Sequence, residues 1–340
     1  MMVSIFFRLR TICGRSFYST FAILFSILLS SGSFAQGWDS PVMCWNVENY
    51  FDTYDDPDTA DDEFTPRGDK FWSKKRFLAK RNAISKTILS IKDTYGEYPF
   101  LVGLVEVENS YVLKELVNDT PLSKLDYRYI HNDSYDPRGI ECALLYREAH
   151  FTPLEVHNVE VERVYYDKPL RHILYVKGVE MGSGDTLHIF VNHWSSKLGG
   201  EKRSAPNRLA SALKVVKMAD SIAFSNPDKE PNILIMGDLN DICHSEPLNA
   251  LKLARTPLMI LSEGFDPRKE GTTKYQGEWE IIDHFVVSES LSRYTMEIYA
   301  PEFLLQTEKK YLSKKPFRTY SGPKYLGGVS DHLPIVLHKK

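Results

Sequence analysis

Asp238-Leu239-Asn240 closes the apolar run Asn232-Ile233-Leu234-Ile235-Met236-Gly237 and sets a carboxylate and an amide two residues apart. In an extended chain such residues face one side, so the pair can address a phosphate, a hard metal ion or the water between them. The same Gly-Asp-x-Asn string also makes an ordinary turn after a core strand. The pattern recurs along the chain: Asn46 ends one apolar run, Glu106 another and His193 a third, while Asp331-His332 precedes a last one. Any one of these has a plain structural explanation, but their number and mix are hard to assign to solubility. Glu106 and Asp331 with the amides of Asn46 and Asn240 make an oxygen-rich set, which suits Mg²⁺ or Mn²⁺ better than zinc.

The elements that must position these groups are mostly strands. Short runs rich in β-branched and aromatic residues predict strands over 42–47, 100–106, 127–130, 141–146, 156–164, 170–179, 186–193, 232–238, 279–287 and a final one through 337. Pro137 and Gly139 mark a turn that puts Arg138 on a loop tip, where it can hold a phosphate bidentately or simply face water. Apolar spacing over 70–92, interleaved with Lys and Arg, predicts an amphipathic helix with a basic outer face, and 206–224 predicts a second helix opening near Ser204. Between His193 and that helix, Lys197, Gly199, Gly200, Lys202 and Arg203 form a Gly-rich basic loop that can wall a phosphate groove. Residues 52–63 carry six Asp and one Glu with no apolar period, and they lack the Asp-x-Asp-x-Asp-Gly spacing of a calcium loop. Residues 301–324 are polar and Lys-rich and predict an irregular surface excursion. Strands alternating with at least two helices predict an α/β sandwich in which the strand ends share one rim.

The segments Trp45-Asn46-Val47-Glu48-Asn49, Leu104-Val105-Glu106-Val107, Asn192-His193-Trp194, Gly237-Asp238-Leu239-Asn240-Asp241, Ile282-Asp283-His284-Phe285 and Ser330-Asp331-His332-Leu333-Pro334 follow in order. That ordered set resembles the endonuclease/exonuclease/phosphatase family, which includes DNase I-like nucleases, apurinic-site endonucleases, inositol-polyphosphate 5-phosphatases and bacterial sphingomyelinases. The resemblance implies a two-sheet α/β sandwich of the DNase I-like type, flanked by helices and hydrolysing phosphate esters with a divalent cation. It implies Glu106 as the principal metal carboxylate, with Asn46 and Asp331 close to the metal. His332 then corresponds to the histidine that activates water, and Asp283 to the acid that holds its imidazole. Asp238 and Asn240 correspond to the pair orienting nucleophile and phosphate, and His193 to a donor to a phosphate oxygen. Such roles agree with the chemistry, since in-line attack on phosphorus needs a cation, hydrogen-bond donors and a base for water. His284 falls where the family often has an aromatic residue and receives no role.

At 340 residues the chain can bury a full core, and nothing in 36–340 divides it, so one catalytic domain is the economical expectation. Residues 1–35 combine Arg8, Arg10 and Arg15, no acid, a short apolar run over 21–29 and the small residues Ser33 and Ala35. This is the layout of a signal peptide cleaved near Ala35, with an uncleaved anchor as the alternative, and it predicts export to the periplasm or beyond the cell. Without it, 39 basic side chains face 45 acidic ones, a formal net charge of −6. That balance argues against a non-specific nucleic-acid coat but leaves room for a local positive groove. Cys44 and Cys142 lie in apolar runs as core residues, and with Cys243 they make neither a disulfide framework nor a zinc motif. The expected activity is that of an exported phosphodiesterase, a nuclease acting on nucleic acid, with no stable membrane insertion of the mature chain and no oligomeric state specified. The alternatives are a phosphomonoesterase or sphingomyelinase-like hydrolase of inositol-phosphate or lipid head groups, and a binding module that has lost catalysis.

Overall fold

Period-two alternation in the apolar runs sorts each strand's side chains between two layers. In the computed structural model, which describes residues 37–134, 136–162, 164, 170–198 and 200–340, this produces two six-stranded sheets packed face to face. The expected leader and Gly199 lie outside the described residues. In chain order the strands are β1 (Val42–Tyr50), β2 (Leu101–Val107), β3 (Tyr127–His131), β4 (Glu141–Arg147), β5 (Phe151–Val159), β6 (Ile173–Glu180), β7 (Thr186–His193), β8 (Asn232–Asp238) and β9 (Leu258–Ile260). There follow β10 (Thr273–Tyr275), β11 (Glu278–Glu280), β12 (Asp283–Ser288), β13 (Tyr294–Ile298), β14 (Leu305–Glu308), β15 (Ser313–Pro316), β16 (Tyr320–Ser321), β17 (Lys324–Tyr325) and β18 (Ile335–Lys339).

The first sheet has the order β13-β18-β1-β2-β4-β3 and the second β5-β6-β7-β8-β12-β9. Each holds one parallel pair, β1 with β2 and β7 with β8, among antiparallel neighbours. Between the sheets lies an apolar layer to which β1 gives Val42 and Cys44, β7 gives Leu187, Ile189 and Val191, and β8 gives Leu234 and Met236. Cys44 and Cys142 are both in this layer, as free thiols. The outer faces are covered by helices. α1 (Lys74–Tyr95) and α2 (Ser110–Asn118) pack on the first sheet through Phe77, Ile84, Ile88, Ile91 and Leu113. α3 (Glu201–Ser225) and the short α4 (Glu246–Leu251) cover the second through Ala212, Val215, Ala219 and Leu248. This is the two-sheet α/β sandwich of the DNase I-like type. Among the described residues no helix is long and apolar enough to cross a membrane.

Local chemistry moves several boundaries from their expected places. The helix expected from residue 70 begins at Lys74, because Phe71 takes a left-handed φ of 47° and Ser73 caps the helix by accepting the Arg76 N–H. Gly96 ends it with φ 83°, donating to Lys92 O. The second long helix opens at Glu201 rather than Ser204, so Pro206 lies inside it, and Arg208 reaches back to bond the Glu201 carboxylate. The single strand expected over 279–287 is two. β11 pairs with β10, and Ile281 and Ile282 step across to the second sheet, where Thr272 Oγ1 accepts the Ile282 N–H and Ile282 O accepts the Leu239 N–H. The excursion over 301–324 is more ordered than its composition suggests, since β14 and β15 form a hairpin and Tyr320-Ser321 pairs with Lys324-Tyr325.

Candidate active site

Side-chain parity carries the sequence motifs to one end of the sandwich. Asp238 has the parity of Leu234 and Met236 and so lies on the inter-sheet side of β8. In the ladder it stands opposite His193 of β7 and Asp283 of β12, so one row across the second sheet holds an imidazole and two carboxylates. Gly237 makes that row possible: its φ is 146°, and a Cβ there would sit 1.9 Å from Asn192 O of the neighbouring strand. From the facing sheet, Asn46 has the parity of Val42 and Cys44, and its Nδ2 donates to Asp238 Oδ2 at 3.1 Å. Glu48, Asn49, Glu106 and Asn240 all adopt left-handed φ between 51° and 65° at strand ends around the same point. Non-glycine residues rarely adopt this conformation, and here four of them turn side chains or backbone into one cleft.

His332 arrives just before β18. Ser330 Oγ donates to Asn46 O and accepts the His332 N–H, while Trp45 Nε1 donates to His332 O at 2.9 Å, so the segment is tied to β1 at both ends. The His332 Nδ1 is 2.8 Å from Asp283 Oδ2, and its Nε2 is 3.8 Å from Asp238 Oδ2. Burial disfavours the charged ring, but the Asp283 and Asp238 carboxylates outweigh it and hold the imidazole well above its ordinary value. Asp238 is pushed up to about 7, by burial first, with the His332 charge opposing and the Asp283 charge adding to the rise. His193 behaves in the opposite way: burial, then the Arg171 and Arg138 cations, hold it well below the usual histidine range, as a neutral ring. Its Nε2 lies 3.8 Å from both Glu106 Oε1 and Asp238 Oδ2.

Glu106, His193, Asp238 and His332 line a cleft of about 620 Å³ together with Asn240, Asp331 and the cationic side chains of Arg138, Arg171, Arg203 and Arg318, with Asp283 buried behind His332. The structure therefore brings together Asn46, Glu106, His193, Asp238, Asn240, Asp283, Asp331 and His332, with Arg138 at the wall. Lys197 is placed differently from the expected substrate contact. Ser195, Ser196 and Leu198 line the cleft, while the Lys197 ammonium lies 3.7 Å from Asp241 Oδ1, a carboxylate already held by the buried Arg208. Asn240 donates through Nδ2 to Trp194 O at 3.0 Å, which ties the loop after β8 to the loop after β7. His284 is structural: it is buried, with Nδ1 2.6 Å from Ser262 Oγ and Nε2 2.8 Å from Asp241 O.

Three contributors escape sequence reasoning, and a fourth, Glu48, stands in the first strand's motif without a role assigned to it. Glu48, pushed up to about 7 by burial and the Asp331 charge, accepts the Thr319 N–H and lies 3.7 Å from Arg318. Arg318 donates to Asp331 Oδ2 at 2.9 Å. Lys80 leaves the basic outer face expected of α1 and is buried, bonding Thr319 Oγ1 at 2.7 Å, Val329 O at 3.0 Å and, more closely, Glu48 O. Arg171, at the start of a predicted strand, bonds Asp136 and Trp194 O. Only the six-residue spacing between Asp331 and the aromatic-rich 317–325 stretch is local; the other pairings join positions far apart in sequence.

The donor chemistry fits a hard divalent cation. Glu48, Glu106, Asp238 and Asp331 line one cleft, two of them pushed up to about 7, and the buried Asp283 Oδ1 has no hydrogen-bond partner. A cation would relieve that concentration of negative charge. Among the described residues, ligand atoms of Asp238, Asp283 and His332 lie within 4.8 Å of one another. Within that trio, however, His332 Nδ1 is already engaged by Asp283 Oδ2 at 2.8 Å, so the oxygen donors are the better candidates. Both ends of the Asn46 amide are engaged, Nδ2 by Asp238 and Oδ1 by the Glu48 N–H at 2.9 Å.

Comparison with known proteins agrees with this architecture. Among solved structures, an endonuclease/exonuclease/phosphatase family protein from Bacteroides thetaiotaomicron superposes with a TM-score of 0.57 at 16% identity, covering 88% of this chain and 94% of that one. The human Nocturnin catalytic domain with bound sulfate anion gives 0.55 at 15% identity, with coverage of 88% and 93%. A mannosyl-6-phosphatase from Bacteroides thetaiotaomicron gives 0.56 at 17%, with coverage of 88% and 98%. At these identities the likeness establishes the fold. No curated protein sequence matches. The family model described as Endonuclease/Exonuclease/phosphatase matches residues 41–340, and the chain belongs to that family of hydrolases.

Proposed function

We propose that the chain is a divalent-cation-dependent phosphoric ester hydrolase in which His332, oriented by Asp283, handles the proton of the attacking water. The observation that carries this reading is the row His193–Asp238–Asp283 with His332 bonded to Asp283 at 2.8 Å, from which His193, Asp238 and His332 open on a cleft with Glu106 and four arginines. A carboxylate behind an imidazole fixes its tautomer and stabilises its protonated form. Asp238 and Asn240 would orient water and phosphate, and the neutral His193 would donate to a phosphoryl oxygen. Glu106, with Asn46 and Asp331 beside it, would hold the cation, which supplies positive charge where negative charge grows during attack. Mg²⁺ is the expected ion and Mn²⁺ its substitute.

The first substrate reading is a phosphodiester, in a nuclease exported after removal of residues 1–35. A second reading, a compact phosphate ester, is favoured by the acidic loop. Ala60 N donates to Pro137 O at 2.7 Å, which sets the exposed Asp55, Asp56 and Asp58 beside the Arg138 turn, where they would repel a long polyanion. The test is turnover of plasmid DNA, RNA, bis-p-nitrophenyl phosphate and inositol phosphates with Mg²⁺ and with EDTA. EDTA and His332→Ala should each abolish hydrolysis, His332→Ala should retain metal binding in calorimetry, and Glu106→Ala should weaken metal binding at least about tenfold. Turnover of none of these substrates would return the chain to the binding-module alternative.

A further inference from the structure

Arg138 and Arg171 approach the cleft from different parts of the chain and meet at one carboxylate. Asp136 Oδ2 accepts Arg171 Nε at 2.7 Å, while Asp136 Oδ1 accepts the Arg138 N–H at 2.8 Å and lies 3.8 Å from Arg138 Nε. The Asp136 side chain is only 7% exposed, that of Arg171 15% and that of Arg138 49%. Arg171 Nη1 also donates to Trp194 O at 3.1 Å, the carbonyl that accepts Asn240 Nδ2. The Arg171 guanidinium is thereby fixed relative to Asn240 and to His193, and Arg138 is held beside it by its backbone N–H and the longer ion pair to Asp136. Among the described residues, Asp136 is the one carboxylate within 4 Å of both, while the Glu106 and Glu63 charges also act on Arg138.

We infer that Arg138 and Arg171, set by Asp136, form an anion clamp that selects substrates whose phosphoryl group carries two negative charges, a phosphomonoester over an internal diester. This rests on the proposed hydrolase and deepens its second substrate reading, the compact phosphate ester, over the first. A diester is a monoanion, whereas a monoester near neutral pH is close to a dianion with one more oxygen to satisfy. Planar guanidiniums match such an oxygen pair bidentately, and the pre-positioned Arg171 binds it with little loss of side-chain freedom. The acidic loop beside Arg138 adds to the selection, because it penalises a substrate that continues past the clamp as a polyanion.

The experiment compares p-nitrophenyl phosphate with bis-p-nitrophenyl phosphate, with Mg²⁺, in wild type, Arg171→Met, Arg138→Met and Arg171→Lys, alongside calorimetric titration with inorganic phosphate. Wild type should favour the monoester. Each Met variant should lower kcat/KM for the monoester at least about tenfold, mainly through KM, and for the diester by about threefold or less. Phosphate affinity should fall in parallel, with Arg171→Lys recovering part of it. Equal losses on both esters would make Arg171 a merely structural tie to Trp194, and a wild-type preference for the diester would overturn the inference directly. If wild type hydrolyses neither ester, the hydrolase reading fails, and phosphate titration still decides the clamp: binding unaffected by Arg171→Met would sink it.

Discussion

Replacing Asp283 with Asn isolates the role of one charge. The side chain is buried, nearly isosteric with its replacement, and 2.8 Å from His332 Nδ1. A charge-assisted hydrogen bond contributes about 1.5 to 3 kcal/mol, and a unit charge at that distance from an imidazolium reaches about 6 kcal/mol at an effective dielectric of 20. At about 1.4 kcal/mol per tenfold, kcat should fall by roughly 10 to 10⁴. The direction of the pH effect follows from the opposing influences on the ring. Burial pushes His332 down and Asp283 is the first of the charges pulling it up, so its loss should move the acidic limb of the kcat profile to lower pH. The assay is the pH–rate profile on a chromogenic phosphate ester, with thermal melting to establish that the variant folds. A kcat within threefold of wild type, or an acidic limb displaced to higher pH, would refute the proton-handling role given to this pair.

Two further outcomes test the surroundings of the site and the fold itself. Lys80→Met removes three buried hydrogen bonds and the cation facing Glu48, and should lower unfolding free energy in urea by about 3 to 5 kcal/mol; a loss under about 1 kcal/mol would contradict the network. His188, on the outer face of β7 and hydrogen-bonded to Tyr175, is held down to about 4 by burial and the nearby Lys177. The unfolded chain takes up this proton near pH 6.5 and the folded chain only near 4, so stability present above 6.5 is lost as pH falls through that window, with a limiting slope of about 1.4 kcal/mol per pH unit for one proton. His188→Gln should flatten that part of the stability profile, and an unchanged slope would show that other groups govern it.

The sequence made the site legible wherever an apolar strand ended on a polar group. Parity along β7 and β8 follows directly from Ile189, Val191, Leu234 and Met236, and it carries His193 and Asp238 to the correct face. Cys44 and Cys142 read as core for the same reason. What it hid were pairings made across long chain separations. Lys80 sits among lysines and arginines of an amphipathic helix, and its one local mark is its phase, three residues after Phe77 and four before Ile84, which puts it on the buried stripe unlike the exposed Lys75 and Lys86. Arg171 reads as the start of a strand, yet it is defined by Asp136 and Trp194. Lys197 drew attention by its neighbours, but Asp241 competes for it. The split at Ile281-Ile282 was equally hidden, because two apolar residues continue a strand pattern even where Thr272 redirects the backbone.

The left-handed turns at Glu48, Asn49, Glu106 and Asn240 bear on how this catalyst can change over generations. At such a position glycine and asparagine are tolerated, whereas valine, isoleucine or threonine carry a conformational penalty in addition to any chemical loss. Variation at these four places is thereby confined to a narrow set of amino acids before selection for activity acts. A mutant library randomised there should return fewer folded members than one randomised at Asp283 or Asp331, where backbone shape imposes no such filter. New specificity is then more accessible through Arg138, Arg171 and Arg318 on the walls than through the residues of the cleft floor.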